Sequence, residues 1–169
     1  MRQVQKMQAQ MESIQEEANK EIVEATAGNT GVGLAQVAAC RGYRCLFVMP
    51  DKMSDEKELL LAAYGAEIVR TRSDVPADSP EGYKGMAARL AAETPGAWYA
   101  DQFHNPENPQ IHYQTTGPEI WADTDGAVDV LVGGMGTTGS LCGAGRFLKE
   151  RRPELRFVAV DPVGSAYGG

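Results

Sequence analysis

The sequence predicts an α/β fold, a parallel sheet with helices on both faces preceded by an N-terminal helix, and three observations predict it. From Glu21 onward, short β-branched runs alternate with stretches of helical periodicity. The helical stretches are long enough to serve as crossovers between parallel strands. Glycine-rich turns stand where two of the strands end and helices open. A crossover joining parallel strands is right-handed and must cover the sheet, so this alternation puts helices on both faces.

The elements follow in order. EIVEATA (21–27) reads as a strand, TGVGLAQVAACRG (30–42) as a helix, and RCLFVMP (44–50) as a second strand. SDEKELLLAAYG (54–65) is a helix closed by Gly65. AEIVRT (66–71) is a strand, PEGYKGMAARLAAET (80–94) a helix, and AWYA (97–100) a short strand. NPQIHYQTTGPEIW (108–121) accommodates one or two helices, and VDVLVGG (128–134) and LRFVAVDP (155–162) are strands flanking the helix SLCGAGRFLKERR (140–152). The expected organisation is an N-terminal amphipathic helix over 1–20, an α/β unit over 21–104 and a second, partial α/β unit over 105–169.

The first twenty residues obey a different pattern. MRQVQKMQAQMESIQEEANK has no Gly or Pro and sets Val4, Met7, Met11, Ile14 and Ala18 three and four apart. Such a seam suits either a helix packed on the sheet or one paired with another chain, and a homo-oligomer, most simply a dimer, is the expected assembly.

Over 169 residues the net charge is −7, which argues against a nucleic-acid groove or an anionic membrane surface as partner. Cys40, Cys45 and Cys142 are odd in number and lie in apolar stretches, so they are expected to be free, buried thiols in a reducing compartment. The chain shows no signal-peptide pattern and no apolar run long enough to span a bilayer, so a cytoplasmic location is expected. His104 and His112, eight apart around two prolines, lack companion ligands at metal spacing. Trp98, Tyr99 and Trp121 read as core or interface aromatics, and the runs DEKE and KERR as solvated helix faces.

The chemistry centres on two turns. The strand EIVEATA runs into GNTG, and VDVLVGG runs into MGTTGS. A strand-to-helix turn aims free N–H groups and the positive end of a helix at one point, which suits a carboxylate or a phosphate. The bland alternative is a tight connection, but both turns stand at carboxyl ends of parallel strands, where α/β proteins bind ligands. Neither is a P-loop, and neither has the dinucleotide fingerprint.

Three blocks carry a resemblance: EATAGNTGVGLAQVAACRGYRCLFVMPDKMSDEKELLLAAYGAEIVRT, DQFHNPENPQIHYQTTGPEIW and DVLVGGMGTTGSLCGAGRFLKERRPELRFVAVDPVGS. From about Ile22 to Ser165 the chain resembles the cysteine synthase and cystathionine β-synthase family of fold-type II pyridoxal-phosphate enzymes, which implies a three-layer α/β/α fold. The resemblance implies that Asn29 addresses the phenolic oxygen of pyridoxal phosphate. It implies that Thr26, Gly28, Thr30 and Gln102 bind the carboxylate of an amino-acid substrate. It also implies that Gly136, Thr137, Thr138, Gly139 and Ser140 cradle the cofactor phosphate.

Departures from the family pattern temper this. The family's cofactor-linking lysine belongs to a segment before the asparagine loop; here only Lys6 and Lys20 precede Glu21, and both read as solvated helix positions. The family strand that serves the pyridine nitrogen would follow Gly169. Ala27 stands where the family usually has serine. Thr138 stands where it usually has glycine, a strained choice for a β-branched residue if the turn needs positive φ. The segment QKMQAQMESIQEEANKEIVEATAG resembles the start of the YbaB/EbfC family of nucleoid-associated proteins over about residues 1–28, and EATAG is where a natural or engineered splice between the families would fall.

Two functions follow as expectations. One is a truncated or chimeric cysteine synthase-like module that lacks catalytic residues and retains an anion site, with pyridoxal phosphate implied by resemblance alone. The alternative is an active pyridoxal-phosphate enzyme performing β-replacement on a serine-like substrate, its lysine supplied by another chain or an unexpected position.

Overall fold

A computed structural model describes residues 20–26, 28–163 and 165. They divide into two compact units, one within Met1–Asp101 and one within Gln102–Gly169. The expected N-terminal helix with its Val4 to Ala18 seam, Ala27 and the terminal glycines lie outside the described residues.

The first unit contains β1 (Glu21–Ala25), α1 (Asn29–Arg41), β2 (Arg44–Pro50), α2 (Asp55–Ala63), β3 (Glu67–Thr71), α3 (Tyr83–Glu93) and β4 (Ala97–Tyr99). Its strands form one sheet in the order β3-β2-β1-β4, with every pairing parallel. Because side chains alternate across a strand, the sheet offers two apolar faces. On one, Ile22, Cys45, Phe47 and Met49 meet Ala35 and Ala38 of α1 and Leu61 of α2. On the other, Val23, Ala25 and Val48 meet Ala87 of α3, flanked by Tyr83, Met86 and Leu90. Helices therefore cover both faces, as the strand and helix rhythm predicts. The central β1 is buried along its whole length.

Local chemistry sets the helix limits. α1 ends at Gly42, in the left-handed region at φ 72°. α2 begins after Ser54 with Asp55, Glu56 and Glu58 in its first turn, where carboxylates oppose the helix dipole favourably. Asp55 and Glu58 also pair with Arg70 of β3, which ties the helix start to the sheet edge.

The second unit contains α4 (Glu107–Gln114), α5 (Thr116–Asp123), β5 (Val130–Gly134), α6 (Gly139–Arg151) and β6 (Arg156–Val160). The segment that admitted one or two helices is two. Pro118 lacks an N–H and its ring would strike the carbonyl four residues back, and α4 stops at that residue, Gln114. β5 and β6 pair in parallel, with Leu131 opposite Phe157 and Val132 opposite Val158. The helix-facing side is built on Phe147, Leu148 and Leu155, with Tyr113, Ile120, Trp121 and Leu131 around them. The opposite side of the two strands carries Val132, Val158 and Val160, all exposed.

One expectation needs correction. All three cysteines are free, but only Cys45 is buried; Cys40 and Cys142 are exposed. α1 buries Gly31, Ala35 and Ala38, one face of the helix, and Cys40 falls off that stripe. Trp121 joins a core cluster, and Trp98 on the edge strand β4 is 53% exposed. Among the described residues, no helix is long and apolar enough to cross a membrane.

Candidate functional site

Each unit presents one glycine-rich turn at the carboxyl end of a strand. In the first unit, Thr26 follows β1 and still donates its N–H to the Val48 carbonyl at 3.1 Å, extending the ladder by one residue. Its side chain is buried, and Thr26 Oγ1 accepts the Gly31 N–H at 3.1 Å and the Gly28 N–H at 3.4 Å. The hydroxyl therefore braces the turn from within. Glycine is needed at position 31, because a Cβ there would lie 2.6 Å from Thr26 Cγ2. Asn29 and Thr30 open α1 and are exposed, and nothing crowds Gly28 within 4 Å of where a Cβ would be. This unit thus separates an inner brace, Thr26, from an outer rim of Gly28, Asn29 and Thr30.

The carboxyl ends of β1 and β4 carry unusual electrostatics. Glu24, two residues before Thr26, is fully buried. Tyr99 on β4 has its phenol pushed up to about 12, first by burial and then by the negative charges of Glu24, Asp101 and Asp78. A larger apolar hollow of about 500 Å³ in the same unit is lined by Ile22, Val37, Tyr43 and Trp98. It opens at the amino ends of β1 and β4, the edge opposite to where α/β ligands bind.

In the second unit, β5 ends at Gly134 and α6 begins at Gly139. Thr138 stands between them in the left-handed region, at φ 62° and ψ 2°, and its carbonyl accepts the Cys142 N–H at 2.8 Å as the first bond of α6. The N–H groups of Gly139, Ser140 and Leu141 precede that bond, so none has a carbonyl inside the helix to meet. Gly136 and Ser140 are exposed, and Thr137 Oγ1 accepts the Gly139 N–H at 3.4 Å. A cleft of about 210 Å³ lies beside the turn, lined by Gly133, Gly134, Ser140, Leu141 and Thr116.

This donor set fits a phosphate. N–H groups at a helix start and open hydroxyls are what a compact oxyanion requires, and the turn has no carboxylate to repel it. It also has no lysine or arginine, so attraction comes from dipoles alone.

Gln102 belongs to the second unit, and its backbone carbonyl accepts from Asn108 Nδ2 at 2.8 Å. Asn108 is a residue that sequence reasoning missed. It also donates to Thr137 Oγ1 at 2.9 Å across 29 positions of chain, a partnership with no local sequence signal. His112 is held locally, its Nδ1 within 2.9 Å of Thr116 Oγ1.

A family model described as pyridoxal-phosphate dependent enzyme matches residues 2–168, a span that includes the N-terminal segment. Cystathionine beta-synthase of Apis mellifera is 50% identical over 144 residues, which cover 85% of this chain and 29% of that protein. The Oryctolagus cuniculus cystathionine beta-synthase is 51% identical over 144 residues, 85% of this chain and 26% of the relative. Among solved structures, O-ureido-L-serine synthase matches with a TM-score of 0.78 at 44% identity, covering 88% of this chain and 46% of that one. A hydrogen sulfide-producing enzyme from Fusobacterium nucleatum matches with a TM-score of 0.77 at 37% identity, covering 88% and 47%. The chain thus spans less than a third of the curated relatives' length and about half of the solved structures'.

Proposed function

The chain belongs to the pyridoxal-phosphate dependent enzyme family, and on that premise we propose that it is a cysteine synthase-like binding module with a phosphate cradle at the β5–α6 turn. The observation that carries the proposal is the left-handed Thr138 at the mouth of α6, which turns the chain so that the first helical N–H groups share an open cradle with Ser140 and Thr137. When bound, pyridoxal phosphate supplies an electron sink at the α-carbon of an amino acid. Gly136, Thr137, Thr138, Gly139 and Ser140 hold its phosphate beside an open cleft.

In the first unit, the rim of Gly28, Asn29 and Thr30 receives a carboxylate through backbone and side-chain donors, while Thr26 keeps the rim in shape. Gln102, in the second unit, carries a side-chain amide that suits a carboxylate. The described lysines are engaged away from both turns where partners are seen. Lys84 pairs with Asp78, Lys149 donates to the Pro153 carbonyl, and Lys20 lies over the Tyr43 ring. Binding without turnover is the activity this supports. Self-association belongs to the same reading, through the exposed apolar stripe of Val132, Val158 and Val160.

The test is a titration with inorganic phosphate followed by backbone amide shifts. Movement concentrated in residues 134–140 is the expected result, and a titration that leaves those residues unmoved overturns the cradle.

A further inference from the structure

We infer that Asn108 positions the phosphate turn by setting which way the Thr137 hydroxyl points its proton, and that it ties the turn to the segment beginning at Gln102. The inference rests on the phosphate reading of the β5–α6 turn. Asn108 Nδ2 donates to the Gln102 carbonyl at 2.8 Å and to Thr137 Oγ1 at 2.9 Å. A backbone carbonyl can only accept, so the amide orientation is fixed by its Gln102 partner, and both N–H bonds of the amide are used. The amide also fills the space against Gly139, where any Cβ would collide with it. One side chain therefore touches three points: Gln102, Thr137 and the first residue of α6.

The consequence lies at Thr137. A hydroxyl carries two lone pairs and one proton. Here one lone pair takes the Asn108 N–H and the other the Gly139 N–H, the latter at 3.4 Å. What remains is the O–H, which can only donate. A hydroxyl so constrained is matched to a phosphate oxygen, which only accepts, and mismatched to a ligand that presents an N–H. Asn108 thereby gives the cradle its preference for an anion without adding charge. The same amide passes any displacement of Thr137 to the Gln102 peptide, whose N–H partner in the next residue is that of Phe103.

The experiment is a phosphate titration by amide shifts on the full chain, its Asn108→Ala and Thr137→Val variants, and the double variant, each checked for a wild-type circular dichroism spectrum. In the wild type, phosphate moves Gly136 to Ser140 and also Phe103. In Asn108→Ala the affinity falls about tenfold, the size expected for one or two net hydrogen bonds, and Phe103 stops responding. Adding Asn108→Ala to Thr137→Val costs no further affinity, because the hydroxyl it steers is already gone. If Asn108→Ala does not fold, Thr137→Val alone must lose the Phe103 response while keeping its fold. Wild-type affinity in Asn108→Ala, or losses that simply multiply in the double variant, overturns the role of Asn108 and leaves the cradle standing. A wild-type chain that takes up no phosphate overturns the cradle and this inference together.

Discussion

Thr26 and Gly31 are in a two-way contact: the Gly31 N–H donates to Thr26 Oγ1 at 3.1 Å, and the Gly31 Cα leaves no room for a methyl beside Thr26 Cγ2. Gly31→Ala should therefore destabilise the first unit by about 1–3 kcal/mol through overpacking, against a helix-propensity gain of about 1 kcal/mol. Thr26→Ser removes the obstructing methyl and keeps the acceptor, so it should recover part of that loss in the double variant. Urea unfolding of the two single variants and the double variant measures this; strictly additive effects would contradict the contact.

Thr138 offers the opposite experiment. A β-branched residue held at φ 62° carries about 1–2 kcal/mol of left-handed strain. Thr138→Gly relieves it, and the greater freedom of glycine in the unfolded chain offsets roughly 0.5–1 kcal/mol. A net stabilisation of roughly 0.5–1 kcal/mol is predicted, whereas Thr137→Gly, which removes the acceptor of Asn108, should destabilise. Chemical denaturation distinguishes the two.

The cysteines should separate by reactivity. Burial, and secondarily the charge of Glu21, pushes the Cys45 thiol up to about 11, while Cys40 and Cys142 are exposed. At pH 8 a thiol reagent should label two sites quickly and the third only on unfolding. The sign for stability follows from a raised folded value. The protonated thiol is the form the fold favours, so its contribution is complete below the ordinary thiol range. It is lost as pH rises from about 9 through 11. Rapid labelling of all three sites in the folded protein would contradict this.

These features differ in how far the sequence discloses them. Periodicity locates every described strand and helix, because β1 to β4 alternate with helices whose apolar stripes are local. Pro118 decides between one helix and two by a steric rule that acts over four residues. Thr138 is legible as a conflict between residue type and turn. Asn108 is not legible, since its partners lie 6 and 29 positions away and only the packing of α4 against α6 brings them together. The exposure of Cys40 escapes the sequence for the same reason: an apolar residue does not announce which neighbours cover it.

Catalysis is a separate matter from binding. With Lys20, Lys84 and Lys149 engaged elsewhere and no lysine within either glycine-rich turn, β-elimination from an amino acid in the presence of pyridoxal phosphate should run near the rate of the free cofactor. Visible absorbance before and after borohydride, with product assay, measures it. Turnover well above that rate, abolished by changing one lysine, would replace the binding module with an enzyme.

Self-association is predicted at the outer side of β5 and β6. Val132, Val158 and Val160 are 59%, 42% and 53% exposed and share one face of the pair. Val158→Glu should shift a dimer toward single chains in light scattering by placing charge on the buried contact. A dimer indifferent to this substitution would move the interface elsewhere, and a single-chain mass for the unaltered protein at high concentration would remove the proposal.

The cradle itself is tested most directly by parallel amide titrations with pyridoxal phosphate and with pyridoxal, which differ only in the phosphate group. Pyridoxal phosphate should move the amides of Gly136 to Ser140, and pyridoxal should leave them in place at the same concentration. Equal responses to both ligands, or a pyridoxal phosphate response confined to residues outside the β5–α6 turn, would contradict it.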